Sequence, residues 1–134
     1  MSNVSEEGKI LKTFRTVAVV GLSPKSERTS FKVGAYLKKH GYKIIPVNPM
    51  AVEILGEKSY PDLSSIPEPI DAVDILRRSE EVVPVVEEAI RVGAKAVWMQ
   101  EGVTSKEAAD LAQDAGLLVV MDKCMRKEHR KLHK

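Results

Sequence analysis

The chain has 134 residues, 43% apolar and 30% charged, enough for one core that buries roughly two thirds of the unfolded surface. A net charge of +2 and 4% aromatic residues supply neither the basic footprint nor the stacking platforms of a nucleic-acid binder. No apolar run approaches the ~18 residues of a membrane span, and the first fourteen residues carry Glu6, Glu7, Lys9 and Lys12 where a signal peptide would be apolar. The single cysteine, Cys124, excludes an internal disulfide and a Cys-x-x-Cys site, which suits a cytoplasmic protein of one domain spanning 1–134.

Residues 1–14 are expected to cover the domain with a short amphipathic helix, with Ser5 as cap, acids in the first turn, and Ile10, Leu11 and Phe14 turned inward. Val17 to Gly21 then runs without a polar break, as a parallel strand buried on both faces does. Ser30 to His40 is helical in pattern. Val33 and Leu37 are spaced i, i+4, Gly34 permits close approach to the sheet, and Lys38, Lys39 and His40 suit the dipole before a stop at Gly41. Lys43 to Val47 predicts a second strand, halted by Asn48-Pro49. From Met50 to Pro69 the pattern weakens, and Leu55-Gly56 with Ser59 to Pro61 predicts one short edge strand. Ala72 to Leu76 is another buried strand, and Ser79 to Val92 a helix with Val82, Val85, Val86, Ala89 and Ile90 on one stripe, ended by Gly93. If Ser79 is its cap, Pro84 falls beyond the first turn, so the helix either begins near Val82 or kinks there. Ala96 to Met99 is the next strand. Thr104-x-x-Glu107 predicts a capping box for a helix with Ala108, Leu111, Ala112 and Ala115 inward and its end at Gly116. Leu117 to Met121 is the last strand, and residues 125–134 form a basic helix or tail.

This alternation predicts an α/β fold, a Rossmann-like, doubly wound, open parallel sheet of five or six strands in three α/β/α layers. Such sheets bind ligands outside the carboxyl ends of the strands where strand order reverses, here between the first strand and the one ending at Leu76. Gly21 to Ser30, Val47 to Pro49, Leu76 to Arg78 and Met99 to Gly102 should therefore border one crevice. The first stretch brings small hydroxyls and the cations Lys25 and Arg28 to a helix N-terminus, whose free N–H groups and dipole favour a small anion. NAD fits poorly. No glycine occurs between Gly21 and Gly34, so the Gly-x-Gly-x-x-Gly fingerprint is absent, and Val47-Asn48-Pro49 stands where a ribose-binding acid belongs.

Three segments carry a resemblance: Val19-Val-Gly-Leu-Ser-Pro-Lys-Ser-Glu-Arg28, Gly41-Tyr-Lys-Ile-Ile-Pro-Val-Asn-Pro49 and Trp98-Met-Gln-Glu-Gly102. With Asp71-Ala-Val-Asp-Ile-Leu76, Gly93-Ala-Lys-Ala-Val-Trp98 and Cys124-Met-x-x-Glu-His129, they resemble the small CoA-binding protein family over nearly the whole chain. The pattern is also similar to the CoA-binding domain of the succinyl-CoA synthetase alpha subunit. This resemblance implies coenzyme A or an acyl-CoA as ligand, with its phosphates on the loop of Gly21, Ser23, Pro24, Lys25, Arg28 and Ser30. It implies adenosine beside Pro46, Val47, Asn48 and Pro49, and pantetheine along Leu76, Arg77, Arg78, Gln100, Glu101 and Gly102. It further implies a binding module (sensor, carrier or regulator) without a complete ligase cycle, because the phosphorylated histidine of the ligases sits in a second domain. The alternative is an enzyme or subunit that handles acyl-CoA or nucleotide with a partner chain, and NAD(P) redox sensing is a third class.

Several of these residues also have purely structural readings. Ser23 and Ser30 can turn or cap the backbone as well as meet a ligand. Asn48 either only terminates a strand or also offers its amide to ribose or adenine. One of Arg77 and Arg78 should face the crevice and the other solvent, while Glu101 either meets ligand or opposes Lys106. Trp98, inside a strand, is expected in the core. Cys124 is either a half-buried structural thiol or, encouraged by Lys123, Arg126 and Lys127, a thiolate able to form a mixed disulfide with CoA. A catalytic Cys124, His129 and Asp122 group and metal ligation by His40, His129 and His133 are not expected. A C2 homodimer is the default assembly.

Overall fold

Ser5 starts the first helix, α1 (Glu6–Thr13), by accepting a hydrogen bond from the Gly8 N–H at 3.1 Å. The computed structural model describes residues 5–133, so residues 1–4 of the expected cover and residue 134 of the basic tail lie outside the described residues. Ile10 and Leu11 are buried and Phe14 is half-buried. β1 (Thr16–Val20), α2 (Thr29–Lys39) and β2 (Lys43–Val47) follow as a strand, helix and strand.

β3 (Glu53–Ile54) and β4 (Glu57–Lys58) then form a small antiparallel hairpin, which corrects the single edge strand expected here. Leu55 and Gly56, with φ of 57° and 76°, are its two-residue turn, and Tyr60 reaches the main sheet through one bridge to Val47. β5 (Ala72–Ile75), α3 (Val82–Arg91), β6 (Ala96–Met99), α4 (Lys106–Asp114), β7 (Leu118–Val120) and α5 (Met125–Leu132) complete the fold.

The main sheet has five parallel strands in the order β2-β1-β5-β6-β7, with helices on both faces. Side chains alternate along each strand and so feed two cores. Ala18 and Val20 join Val86, Ala89 and Ala112 of α3 and α4. Val17 and Val19 join Leu11, Leu37, Trp98 and Met125 beneath α1, α2 and α5. Each fully buried Val, Leu or Ile in these layers contributes about 1.5 to 3 kcal/mol relative to exposure.

Local chemistry sets the helix limits. A 3-10 turn over Ser79–Glu81 precedes α3, so the helix begins at Val82 and Pro84 is its third residue, where no intrahelical bond is lost. The cap of α4 is Ser105, whose Oγ accepts from the Ala108 N–H at 3.1 Å. The expected capping box is thus displaced: Thr104 instead donates its N–H to Ser79 Oγ at 2.9 Å, and Ala115 is exposed beyond the last helical residue. Gly34 approaches side chains and not the sheet, since a Cβ there would stand 2.9 Å from Leu22 Cδ1 and 3.2 Å from Leu55 Cδ1. The basic C-terminal stretch is a docked helix, with Met125 and His129 buried where it packs on α1 and α2. Glu6 accepts from the Val119 N–H at 3.2 Å and so occupies part of the outer edge of β7.

Candidate functional site

The chain steps outward from β1 to β2 and then crosses back to lay β5 on the other flank of β1. Strand order reverses between β1 and β5, and the loops leaving their carboxyl ends part to form a crevice. Gly21 lies at its base. Its N–H donates to Val47 O at 3.0 Å, and the Leu76 N–H donates to Val20 O at 2.8 Å, so the ends of β1, β2 and β5 are held together.

The loop from Ser23 to Arg28 is shaped by its own hydroxyls. Ser30 Oγ accepts from the Ser23 N–H at 3.0 Å, and Ser23 Oγ accepts from the Lys25 N–H at 3.1 Å. Both serines therefore build the turn, with their O–H hydrogens still available. Arg28 occupies the N-cap of α2 without a side-chain capping bond, and the first turn carries no acid. The opening N–H groups of α2 have no acceptor within the helix, and positive dipole charge collects beside them.

These loops enclose a cleft of about 900 Å³. Its walls gather Gly21, Ser23, Arg28 and Ser30 from the first loop, Val47, Asn48 and Pro49 after β2, and Leu76, Arg77 and Arg78 after β5. Gln100, Glu101 and Gly102 come from the end of β6, with Cys124 beside them. Pro24, Lys25 and Pro46 are not on the wall. Pro24 and Lys25 are exposed elsewhere on the loop, and Pro46 is buried in β2, where strand alternation turns it away from the side of Val47. Glu27, Thr29 and Val103 also line the cleft although no motif marked them. Thr29 becomes legible only once the helix start is fixed.

Arg77 and Arg78 both border the cleft, and the Arg78 side chain is also 76% exposed to solvent. Arg78 lies 3.5 Å from Glu81, and Glu101 pairs with Lys127 at 2.8 Å, not with Lys106, which takes Asp110 at 2.8 Å. The Glu101 hydrogen bond raises the Lys127 ammonium above its ordinary pKa. Among the described residues, Arg28 and Arg77 have no carboxylate partner and Glu27 no cation partner, so the unpaired groups of the wall are two cations against one anion.

Asn48 braces the mouth, with Nδ2 donating to Leu22 O at 3.0 Å and Oδ1 accepting from the Met50 N–H at 2.8 Å. Gln100 braces the opposite end, its Oε1 accepting from the Met125 N–H at 3.0 Å. Trp98 is in the core as expected, fully buried with Nε1 donating to Lys123 O at 2.7 Å. Cys124 is buried rather than half-buried. Asp122 and His129 do not converge on it: Asp122 Oδ1 accepts from the Gly102 N–H at 2.7 Å, and His129 Nδ1 lies 2.8 Å from the Tyr36 hydroxyl.

Residues 15–130 match the family described as CoA binding domain. The chain belongs to the CoA binding domain family. Like it over nearly its full length is the uncharacterized protein YneT of Bacillus subtilis (strain 168), 40% identical over 125 residues, which cover 93% of each chain. A solved structure of a hypothetical protein from Pyrococcus horikoshii OT3 superposes with a TM-score of 0.93 at 40% identity, covering 98% of this chain and 94% of that one. ADP-forming acetate-CoA ligase II of Archaeoglobus fulgidus is 36% identical over 83 residues, which are 60% of this chain and 12% of the ligase. This CoA binding domain protein is thus homologous to one segment of much longer CoA ligases. Among its described residues, no helix is long and apolar enough to cross a membrane.

Proposed function

We propose that this protein binds coenzyme A or an acyl-CoA in the cleft between β1 and β5, as a sensor, carrier or regulatory module without catalysis of its own. The observation that carries this reading is the uncapped start of α2 beside Arg28 and Arg77. Unclaimed backbone donors, a helix dipole and guanidinium forks together suit a polyphosphate. The phosphates would lie on the loop from Gly21 to Ser30, the adenosine beside Val47 to Pro49, and the pantetheine between Leu76 to Arg78 and Gln100 to Gly102. Lys25, off the wall, adds long-range attraction. A cytoplasmic location and a C2 homodimer belong to the same proposal, the second tested by light scattering.

Calorimetry with CoA, acetyl-CoA, NAD and ATP tests the ligand. CoA or acetyl-CoA is expected to bind, with Arg28→Ala weakening it about tenfold or more, as the loss of a charge-assisted hydrogen bond does. Binding of NAD and not of either CoA species would overturn the assignment. A second reading, a subunit that acts on acyl-CoA with a partner chain, is favoured by the similarity to a ligase of which this chain matches only 12%. Acyl-CoA turnover that appears only when such a partner is added would support it.

A further inference from the structure

The far end of the cleft closes on a thiol. Cys124 is 4% exposed, lies on the cleft wall and occupies the N-cap of α5 without making a side-chain capping bond. Gln100 stands on the same wall and is also 4% exposed. Its Oε1 is committed to the Met125 N–H at 3.0 Å, whereas its Nε2 has no acceptor among the described residues. The Gln100 side chain is thus fixed by its oxygen while its N–H bonds stay free on the cleft wall, open to an acceptor that enters the cleft. Lys127, held by Glu101 at 2.8 Å, stands three residues after Cys124 in α5. Pantetheine has amide carbonyls able to accept from Gln100, and it ends in a thiol.

We infer that Cys124 is a thiol-disulfide exchange site for coenzyme A, with Gln100 as its positioning residue, an inference resting on the CoA reading of the cleft. The Cys124 thiol loses its proton to solvent, and the thiolate attacks one sulfur of CoA disulfide. The S–S bond of that reagent breaks, a mixed disulfide between Cys124 and CoA forms, and the second CoA leaves as a thiolate that takes up a proton. CoA disulfide is the oxidant, and a free thiol reverses the step. The tethered CoA fills the cleft and shuts out acyl-CoA, which places the site under redox control.

Intact-mass analysis of the full chain after incubation with CoA disulfide tests this. One CoA per chain is expected, released by dithiothreitol and absent from Cys124→Ser. Cystamine, a disulfide without a nucleotide, is expected to react about tenfold more slowly or less, because only CoA is held in place before exchange. Excess acetyl-CoA is expected to slow the CoA reaction. Gln100→Glu keeps an oxygen for the Met125 N–H but loses the donor, and is expected to slow adduct formation about fivefold. Calorimetric CoA binding with no adduct overturns the inference and leaves the binding proposal standing. An adduct that forms as fast from cystamine as from CoA disulfide also overturns it, and the absence of both binding and adduct overturns the two together.

Discussion

A β-carbon on Gly21 would collide with the carbonyl oxygen of Leu76. Gly21 also has a φ of +92°, so any larger residue meets a strained backbone and a hard contact with the chain leaving β5. Strain of about 1 to 3 kcal/mol adds to overpacking of about 1 to 3 kcal/mol, and Gly21→Ala is expected to cost about 3 kcal/mol or more and to abolish CoA binding. Gly34→Ala meets only the tips of Leu22 and Leu55, and is expected to cost about 1 kcal/mol. Urea denaturation of both variants checks the ranking, and equal losses would refute it.

Asp74 carries a different liability. It lies in mid-strand between Val19 and Trp98, fully buried, and neither carboxyl oxygen has a partner among the described residues. Burial holds its pKa well above the usual carboxylate range, so the folded protein keeps the proton. The unfolded chain releases that proton above about pH 4, so the contribution is whole below that pH and is lost as pH rises toward the folded pKa. Asp74→Asn retains the shape without the titration. It is expected to exceed the parent in stability by about 1 to 3 kcal/mol at pH 7 to 8, with the gap closing on acidification. Denaturation curves across that range decide, and a gap independent of pH would count against this account.

His129 works in the opposite direction. Its ring packs 5.1 Å from His40 and 4.3 Å from His133, centroid to centroid. Burial first, then His133, His40 and Arg15, hold its pKa below the ordinary value of 6.5. The folded pKa is depressed, so its stability contribution is whole above pH 6.5 and is lost as pH falls through the folded value. His129 anchors α5, the helix that Gln100 meets at Met125. Thermal midpoints from pH 7 to 5 are expected to fall more steeply for the parent than for His129→Gln, and parallel curves would exclude the histidine as the cause.

The strands and the crevice were legible because their signals are local: Val17 to Val20 is an unbroken apolar run ended by Gly21, and Ala72 to Ile75 is apolar except at Asp74. The β3 and β4 hairpin was not, because Leu55 takes a positive φ that turn statistics assign to Asn or Gly. Thr104-x-x-Glu107 fits the box motif, yet Ser105 reaches the Ala108 N–H and starts the helix one residue later. The charge of Met125 to Leu132 hides an inward pair, Met125 and His129, whose burial depends on α1 and α2. At the cleft, Pro46 lies off the wall because strand alternation turns it away from the side of Val47, which a local motif does not encode. Arg77 and Arg78 both reach the wall because they lie beyond the end of β5, where alternation no longer sorts them. The bond from Met125 to Gln100 spans 25 positions, and no local pattern encodes it.

Asn48 separates a positioning role from direct ligand contact. Its amide joins the loop after β1, through Leu22 O, to the turn after β2, through the Met50 N–H, leaving one N–H hydrogen for a ligand. Asn48→Ala removes both ties, which is expected to cost about 1 to 3 kcal/mol of stability. The two walls then lose their common brace, and CoA affinity is expected to fall about tenfold or more, since binding depends on loops held in register. Asn48→Asp keeps an acceptor for the Met50 N–H but sets a carboxylate against Leu22 O, beside the proposed phosphate loop. At pH 7 it is expected to weaken CoA more than Asn48→Ala does. Calorimetry on both variants, each checked for folding by denaturation, distinguishes the roles: a loss of stability without a loss of affinity would make Asn48 a structural brace that the ligand does not feel.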